Sequence, residues 1–116
     1  MTAAMREDDL LAGLTEAMTL AGWRWTHVRR SDRALVMGSK GWPDIVAIPP
    51  VAGPVLVIEA KADLGRLTDD QGFWLVRLLQ SGVTAAVVRP VDYDRALDLI
   101  LAGTSGRDAW AWGWRT

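Results

Sequence analysis

Apolar positions along the chain change period several times, and the changes divide it into elements. Leu10, Leu11, Leu14, Ala17, Met18 and Ala21 recur at helical spacing, so Arg6 to Ala21 reads as an amphipathic helix stopped by Gly22. Trp23 to Val28 alternates Trp23 and Trp25 with Arg24 and Thr26, the pattern of a half-buried strand. From Arg29 to Trp42 the periodicity fades into a loop rich in Ser, Gly, Lys and Arg. Two short apolar runs follow, Ile45 to Ile48 and Val55 to Ile58, separated by a Pro/Pro/Gly/Pro cluster; they read as a β-hairpin. Thr68 with Gln71 has the spacing of a capping box, opening a helix through Phe73, Trp74, Leu75, Leu78 and Leu79 to Ser81-Gly82. Val83 to Val88 reads as a buried strand, and the intervening helix predicts a parallel right-handed crossover. Asp92 is placed to cap a last helix, Tyr93 to Ala102, with Ala96, Leu97, Ile100 and Leu101 inward and Gly103 at its end.

The hairpin organises the rest. Pairing Ile48 with Val55 sets Asp44 directly opposite Glu59, and period two puts Lys61, Val57, Val55 and Val46 on the face of these acids. Ile45, Ala47, Leu56, Ile58 and Ala60 take the other face. Both faces are apolar, which predicts a central strand pair covered by helices on each side. Like charges directly opposed across a sheet repel. A divalent cation bridging the acids, with the lysine holding a water, turns that repulsion into binding. The plainer alternative is that Asp44 ends a turn while Glu59 and Lys61 form a solvated pair where the strand leaves the core.

Composition narrows the possibilities. The chain of 116 residues suits one domain, residues 1–116, with 104–116 as a tryptophan-rich extension. It has no cysteine, so disulfides and thiolate metal sites are excluded; this and the lack of a membrane-length apolar run suggest a soluble cytoplasmic protein with no membrane partner. His27 is the sole histidine and cannot build a histidine-rich metal site, which argues against a zinc hydrolase. Net charge is −1, yet Trp23 to Pro43 holds Arg24, Arg29, Arg30, Arg33 and Lys40 against Asp32 alone. Such a segment either tracks a phosphate backbone or is an ordinary solvated loop.

Pro43-Asp44 followed by Glu59-Ala60-Lys61 resembles the PD-(D/E)XK signature of a nuclease superfamily. The wider text, GWPDIVAI, VLVIEAK and GRLTDDQGFWLVRLLQSGVTAAVVRP, is similar to the VRR-NUC domain, a virus-type replication-repair nuclease family, from about Glu7 to about Ile100. That resemblance implies a three-layer α/β/α restriction-endonuclease-like fold, with a central mixed β-sheet, core order αβββαβ, a C-terminal helix and an optional extra strand. It also implies a metal-dependent DNA endonuclease in viral or bacterial replication and repair, resembling Holliday junction resolvases that act as homodimers on branched or junction DNA. Asp44, Glu59, the Ala60 carbonyl and Glu7, directly or through water, would hold Mg²⁺ or Mn²⁺, and Lys61 would orient the attacking water. Arg29, Arg30, Arg33 and Lys40 would contact the nucleic acid.

Several of these residues have a second explanation. Glu7, with Asp8 and Asp9, suits the positive end of a helix dipole, although it also continues the stripe of Leu11, Leu14 and Met18. Gln71 is fully accounted for by capping, while the resemblance places a glutamine near the site; one side chain is expected to choose between them. His27 is a packed or solvated residue, or, by the resemblance, a phosphate contact. Trp110, Trp112 and Trp114 would share one face of a strand, serving as an added edge strand over the core, a dimer contact or a base-stacking platform, with core or dimer packing favoured. Substituting either acid should abolish cleavage and leave, or improve, the fold without metal. An alternative from another class is a catalytically inert nucleic-acid-binding module with the nuclease fold; a third is an accessory protein-interaction domain.

Overall fold

The computed structural model describes residues 5–28 and 38–114. Helix α1 (Glu7–Leu20) leads into strand β1 (Arg24–His27); β2 (Ile45–Ile48) and β3 (Leu56–Ala60) form the hairpin, and α2 (Asp69–Gln80) crosses over to β4 (Thr84–Val88). A 3₁₀ turn (Pro90–Asp92), α3 (Tyr93–Leu101), the short α4 (Arg107–Trp110) and a second 3₁₀ turn (Ala111–Trp114) complete the chain. The four strands lie in the order β1-β2-β3-β4, antiparallel except for the parallel β3–β4 pair. This is the expected mixed sheet and αβββαβ order.

The two faces of the hairpin separate as the alternation predicts. Ile45, Ala47, Leu56 and Ile58 pack with Leu14, Ala17 and Met18 of α1 and with Ala96 and Ile100 of α3. Val57 packs with Leu75, Ala85 and Val87 under α2, flanked by Val46 and Val55. Burial of each such aliphatic side chain contributes roughly 1.5–3 kcal/mol, so two separate cores grip the same central strands. Helix α1 ends at Gly22, whose φ of +84° suits glycine.

Four sequence expectations fail here. No strand forms from the tail among the described residues: Trp110 lies in α4 and is fully buried, its indole N–H donating to the Thr104 carbonyl at 2.8 Å. A Cβ at Gly113 would meet the Ala86 side chain at 2.5 Å, so the tail runs over β4 as a tight turn where only glycine fits. Strand β1 does not alternate in burial, because it is the sheet edge; Trp23 just ahead of it is buried and donates to the Ile100 carbonyl, while Trp25 is partly exposed and donates to Thr19. Leu101 is exposed, and Asp92 does not cap α3; its carboxylate turns back to accept from the Arg89 N–H at 3.2 Å.

Candidate active site

Register decides the site. Ile45 pairs with Ile58, Val46 with Val57 and Ala47 with Leu56, and continuing that ladder sets Asp44 opposite Glu59 and Pro43 opposite Ala60. The predicted pairing is therefore the one the protein adopts. Asp44 and Glu59 are 5% and 1% exposed, and Lys61 is 6% exposed, so the three are not a solvated strand end.

A backbone hydrogen bond holds the aspartate inward. Pro43 has no N–H and cannot supply the next rung of the ladder. On the same edge the Asp44 carboxylate is the acceptor: the Ala60 N–H donates to its Oδ2 at 2.8 Å. Pro43 likewise supplies no ladder donor to the Ala60 carbonyl on the same edge. The main chain of Asp44 is fixed too, since His27 Nδ1 lies 2.7 Å from its carbonyl oxygen. A carbonyl only accepts, so Nδ1 is the donor in this contact.

Glu59 is held from two sides. Lys61 Nζ approaches its Oε2 at 3.5 Å, and the Gln71 side-chain Nε2 donates to the same oxygen at 3.2 Å. Gln71 does this without leaving its cap: its Oε1 accepts from the Thr68 N–H at 2.9 Å, and its own N–H donates to Thr68 Oγ1 at 3.1 Å. The expected choice between cap and site was a false one, because an amide has two ends. The cap needs an acceptor, which fixes the oxygen and turns the amide nitrogen toward the carboxylate.

Lys61 also meets Glu7, whose Oε1 lies 3.9 Å from Nζ on the half-exposed first turn of α1. Glu7 thus reaches the sheet end, and it does so at the lysine. Glu7 and Asp8 stand between two grooves: one of about 540 Å³, which His27, Trp25 and Asp44 also line, and one of about 730 Å³ bounded by Arg6 and the Ala62–Leu64 segment.

Among the remaining candidates, Lys40 is exposed, and its carbonyl accepts from the Trp74 indole N–H at 2.8 Å, tying the end of the loop to α2. Gly41 beside it has φ +98°, and a Cβ there would meet the Asp70 backbone at 2.5 Å. Arg29, Arg30 and Arg33 lie outside the described residues. Sequence reasoning missed Arg89, read only as the residue closing β4. Its guanidinium donates to the Ala62 carbonyl at 2.8 Å and the Gly65 carbonyl at 2.7 Å, clasping the segment after Lys61. Nothing in the Arg-Pro pair signals that reach.

Among the described residues no group of three or more His, Cys, Asp or Glu side chains is placed to hold a metal ion. The donor set fits an ion that takes two buried carboxylates and keeps water and substrate oxygens for its other positions, as Mg²⁺ commonly does. Hard oxygen donors without nitrogen or sulfur favour Mg²⁺ or Mn²⁺ over zinc.

A mixed sheet between helical layers, with a buried carboxylate pair and lysine at its end, is the restriction-endonuclease-like fold. A sequence profile of the VRR-NUC domain matches residues 22–92. The chain belongs to the VRR-NUC family, a nuclease-type domain whose substrate is nucleic acid and whose superfamily generally uses divalent metals. The matched stretch contains Asp44, Glu59, Lys61 and Gln71 and leaves out Glu7. Two solved structures share the fold. One, described as a VRR_NUC domain, is 20% identical, with TM-score 0.62 over 84% of this chain and 96% of its own. The other, a VRR_NUC domain protein, is also 20% identical, with TM-score 0.61 over 90% of this chain and 98% of its own. No curated protein sequence matches the chain.

Proposed function

We propose that the protein is an Mg²⁺- or Mn²⁺-dependent DNA endonuclease. The observation that carries this reading is the burial of Asp44 and Glu59 on opposed positions with Lys61 beside them. Asp44 and Glu59 would hold the ion, with the Ala60 carbonyl as a further ligand and Glu7 contributing through water. When bound, the ion supplies Lewis-acid activation of water and offsets charge on the phosphate.

The chain's own groups do the rest. The Ala60 N–H fixes one oxygen of Asp44. Gln71 and Lys61 hold Glu59 Oε2 in one place. Lys61 orients the attacking water and stabilises charge developing on the phosphate, a role suited to an ammonium kept buried between acids. His27, which lines the groove beside Asp44, reads as a contact to substrate, with Lys40 and the arginines ahead of it contacting the DNA backbone.

A binding module that does not cut would have no use for two carboxylates facing phosphates. The test is cleavage of branched, flapped, linear and single-stranded DNA with Mg²⁺ or Mn²⁺, beside Asp44→Asn and Lys61→Met. Activity surviving both substitutions would sink the site. Branched DNA and a homodimer are the finer part of the proposal: a four-way junction needs two symmetric cuts. Sedimentation showing only monomer would remove junction resolution and leave nuclease chemistry standing.

A further inference from the structure

Leu64 is 95% exposed, the most solvent-open of the large apolar side chains among the described residues. An exposed leucine by itself means nothing. Its setting is what matters. It sits in a tight turn at Asp63–Leu64, closed by a Gly65 N–H to Ala62 carbonyl bond of 3.0 Å. The Arg89 guanidinium clasps both ends of that turn, donating to the Ala62 and Gly65 carbonyls. From within, the turn rests on the site: a Cβ at Gly65 would lie 3.4 Å from Lys61 Cδ. A side chain left bare to solvent is thus mounted on backbone held by three hydrogen bonds and packed on the lysine.

Distance limits what it can touch. Leu64 follows Lys61 by three residues, a span of at most about 11 Å even if extended, and a turn shortens it. One base step rises about 3.4 Å, so the backbone of Leu64 lies within roughly three steps of the backbone of Lys61. It rims the larger groove, across from Arg6 and Glu7 on α1. The acids there do not favour a phosphate backbone, whereas an apolar tip suits a base face. Apolar side chains held rigidly beside a duplex enter opened base steps, at an unstacking cost of a few kcal/mol that is lowest where stacking is already broken.

We propose that Leu64 is a wedge that enters the base stack next to the cleaved bond, so that DNA with an interrupted stack at a branch or flap is preferred over continuous duplex. The proposal rests on the nuclease reading for its substrate and is tested by a separate readout. The full chain is mixed, in chelator and at low salt, with flapped duplex carrying 2-aminopurine within three steps of the branch, and fluorescence reports unstacking. Cleavage of flapped and single-stranded DNA is measured in parallel with Mn²⁺.

The wild-type chain raises the fluorescence. Leu64→Ala loses the rise and cuts flapped DNA about tenfold less, equivalent to about 1.4 kcal/mol, while cutting single strands unchanged. Arg89→Lys, which keeps charge but not the two-carbonyl clasp, reduces the rise although the leucine is present. An equal rise in the Leu64→Ala chain, or none in the wild type, overturns the wedge. A wild-type chain that raises the fluorescence and cuts nothing supports the wedge and sinks the cleavage reading.

Discussion

Gln71 donates its side-chain Nε2 to Glu59 Oε2 at 3.2 Å while its Oε1 closes the cap of α2 on the Thr68 N–H. One residue therefore locks the start of a helix to a buried carboxylate on the neighbouring strand. The two functions separate by substitution. Thr68→Ala removes only the hydroxyl acceptor of the cap and is expected to cost about 1 kcal/mol with activity nearly intact. Gln71→Ala removes cap and carboxylate contact together, costing about 2–3 kcal/mol because the donor it removes serves a charged group. Its kcat should fall about 10–100-fold, the usual effect of losing a group that orients a ligand. Urea unfolding and steady-state kinetics measure both; equal activity in the two variants would leave Gln71 a cap only.

Asp44 is bound into the fold as well as into the site, since its Oδ2 accepts the Ala60 N–H. This contact works against the expectation that replacing an acid leaves or improves the fold. Asp44→Ala orphans a buried N–H and should lower stability by about 1–3 kcal/mol. Asp44→Asn keeps an acceptor and should unfold at nearly the wild-type urea midpoint. Both should reduce cleavage by more than about 100-fold, beyond what loss of a mere orienting group does. A matching stability for the two variants would mean the Ala60 contact is not made.

The hairpin register was legible through the loop: a symmetric connection pairing Ile48 with Val55 runs on to Ile45 opposite Ile58, which is the ladder adopted, whereas two apolar faces alone specify register weakly. The acids followed from that register alone. The tail was not legible: Trp110, Trp112 and Trp114 at period two fit a strand as well as a short helix and a 3₁₀ turn, and so few residues cannot separate the periods. What selects the turn is long-range, the closeness of Gly113 to Ala86, which no local pattern carries. Phe73 is a similar case, 62% exposed with the Arg77 guanidinium 5.2 Å above its ring, so an apolar helix position was covered by a cation instead of the core. Arg89 was hidden for the same reason, its partners lying far back in sequence at Ala62 and Gly65.

The buried Trp110 yields a stability prediction that also tests the tail's role. Trp110→Ala should cost about 3–5 kcal/mol, a large share of the roughly 5–15 kcal/mol typical of a domain. Trp110→Phe keeps most of the ring and loses the bond to Thr104, and should cost less. Urea midpoints that barely move would show the indole is not in the core.

Gly41 links the basic loop to the site, because its φ of +98° and its approach to the Asp70 backbone hold the residues ahead of Pro43 against the start of α2. A Cβ there must displace either the loop or the helix cap that carries Gln71. Gly41→Ala is expected to cost at least about 2 kcal/mol, more than the 1–2 kcal/mol of left-handed strain alone. Its kcat should fall with it, measured at a temperature where the variant is still folded. Unchanged activity in a destabilised variant would separate the loop from the chemistry.

Two buried carboxylates brought together by chain reversal make the unliganded fold less stable than it would be with an ion between them. Anything that binds the native state alone stabilises it by mass action, about 2.7 kcal/mol at a hundred times the dissociation constant. Mn²⁺ at that excess should raise the thermal midpoint of the wild-type chain by several degrees, since 1 kcal/mol moves a domain of this size by roughly 4 °C. Asp44→Asn and Glu59→Gln should each lose most of that rise, because a neutral amide is a poor ligand for a hard cation. Glu7→Gln should keep most of it, since Glu7 meets Lys61 and reaches the ion at most through water. Differential scanning calorimetry with and without Mn²⁺ on the four chains decides the matter. If the wild type shows no rise, the carboxylate pair is not a metal site, whatever the cleavage assay gives. If Glu7→Gln loses the rise as fully as the other two, then the first turn of α1 carries a true third ligand and must close onto the sheet when the ion arrives.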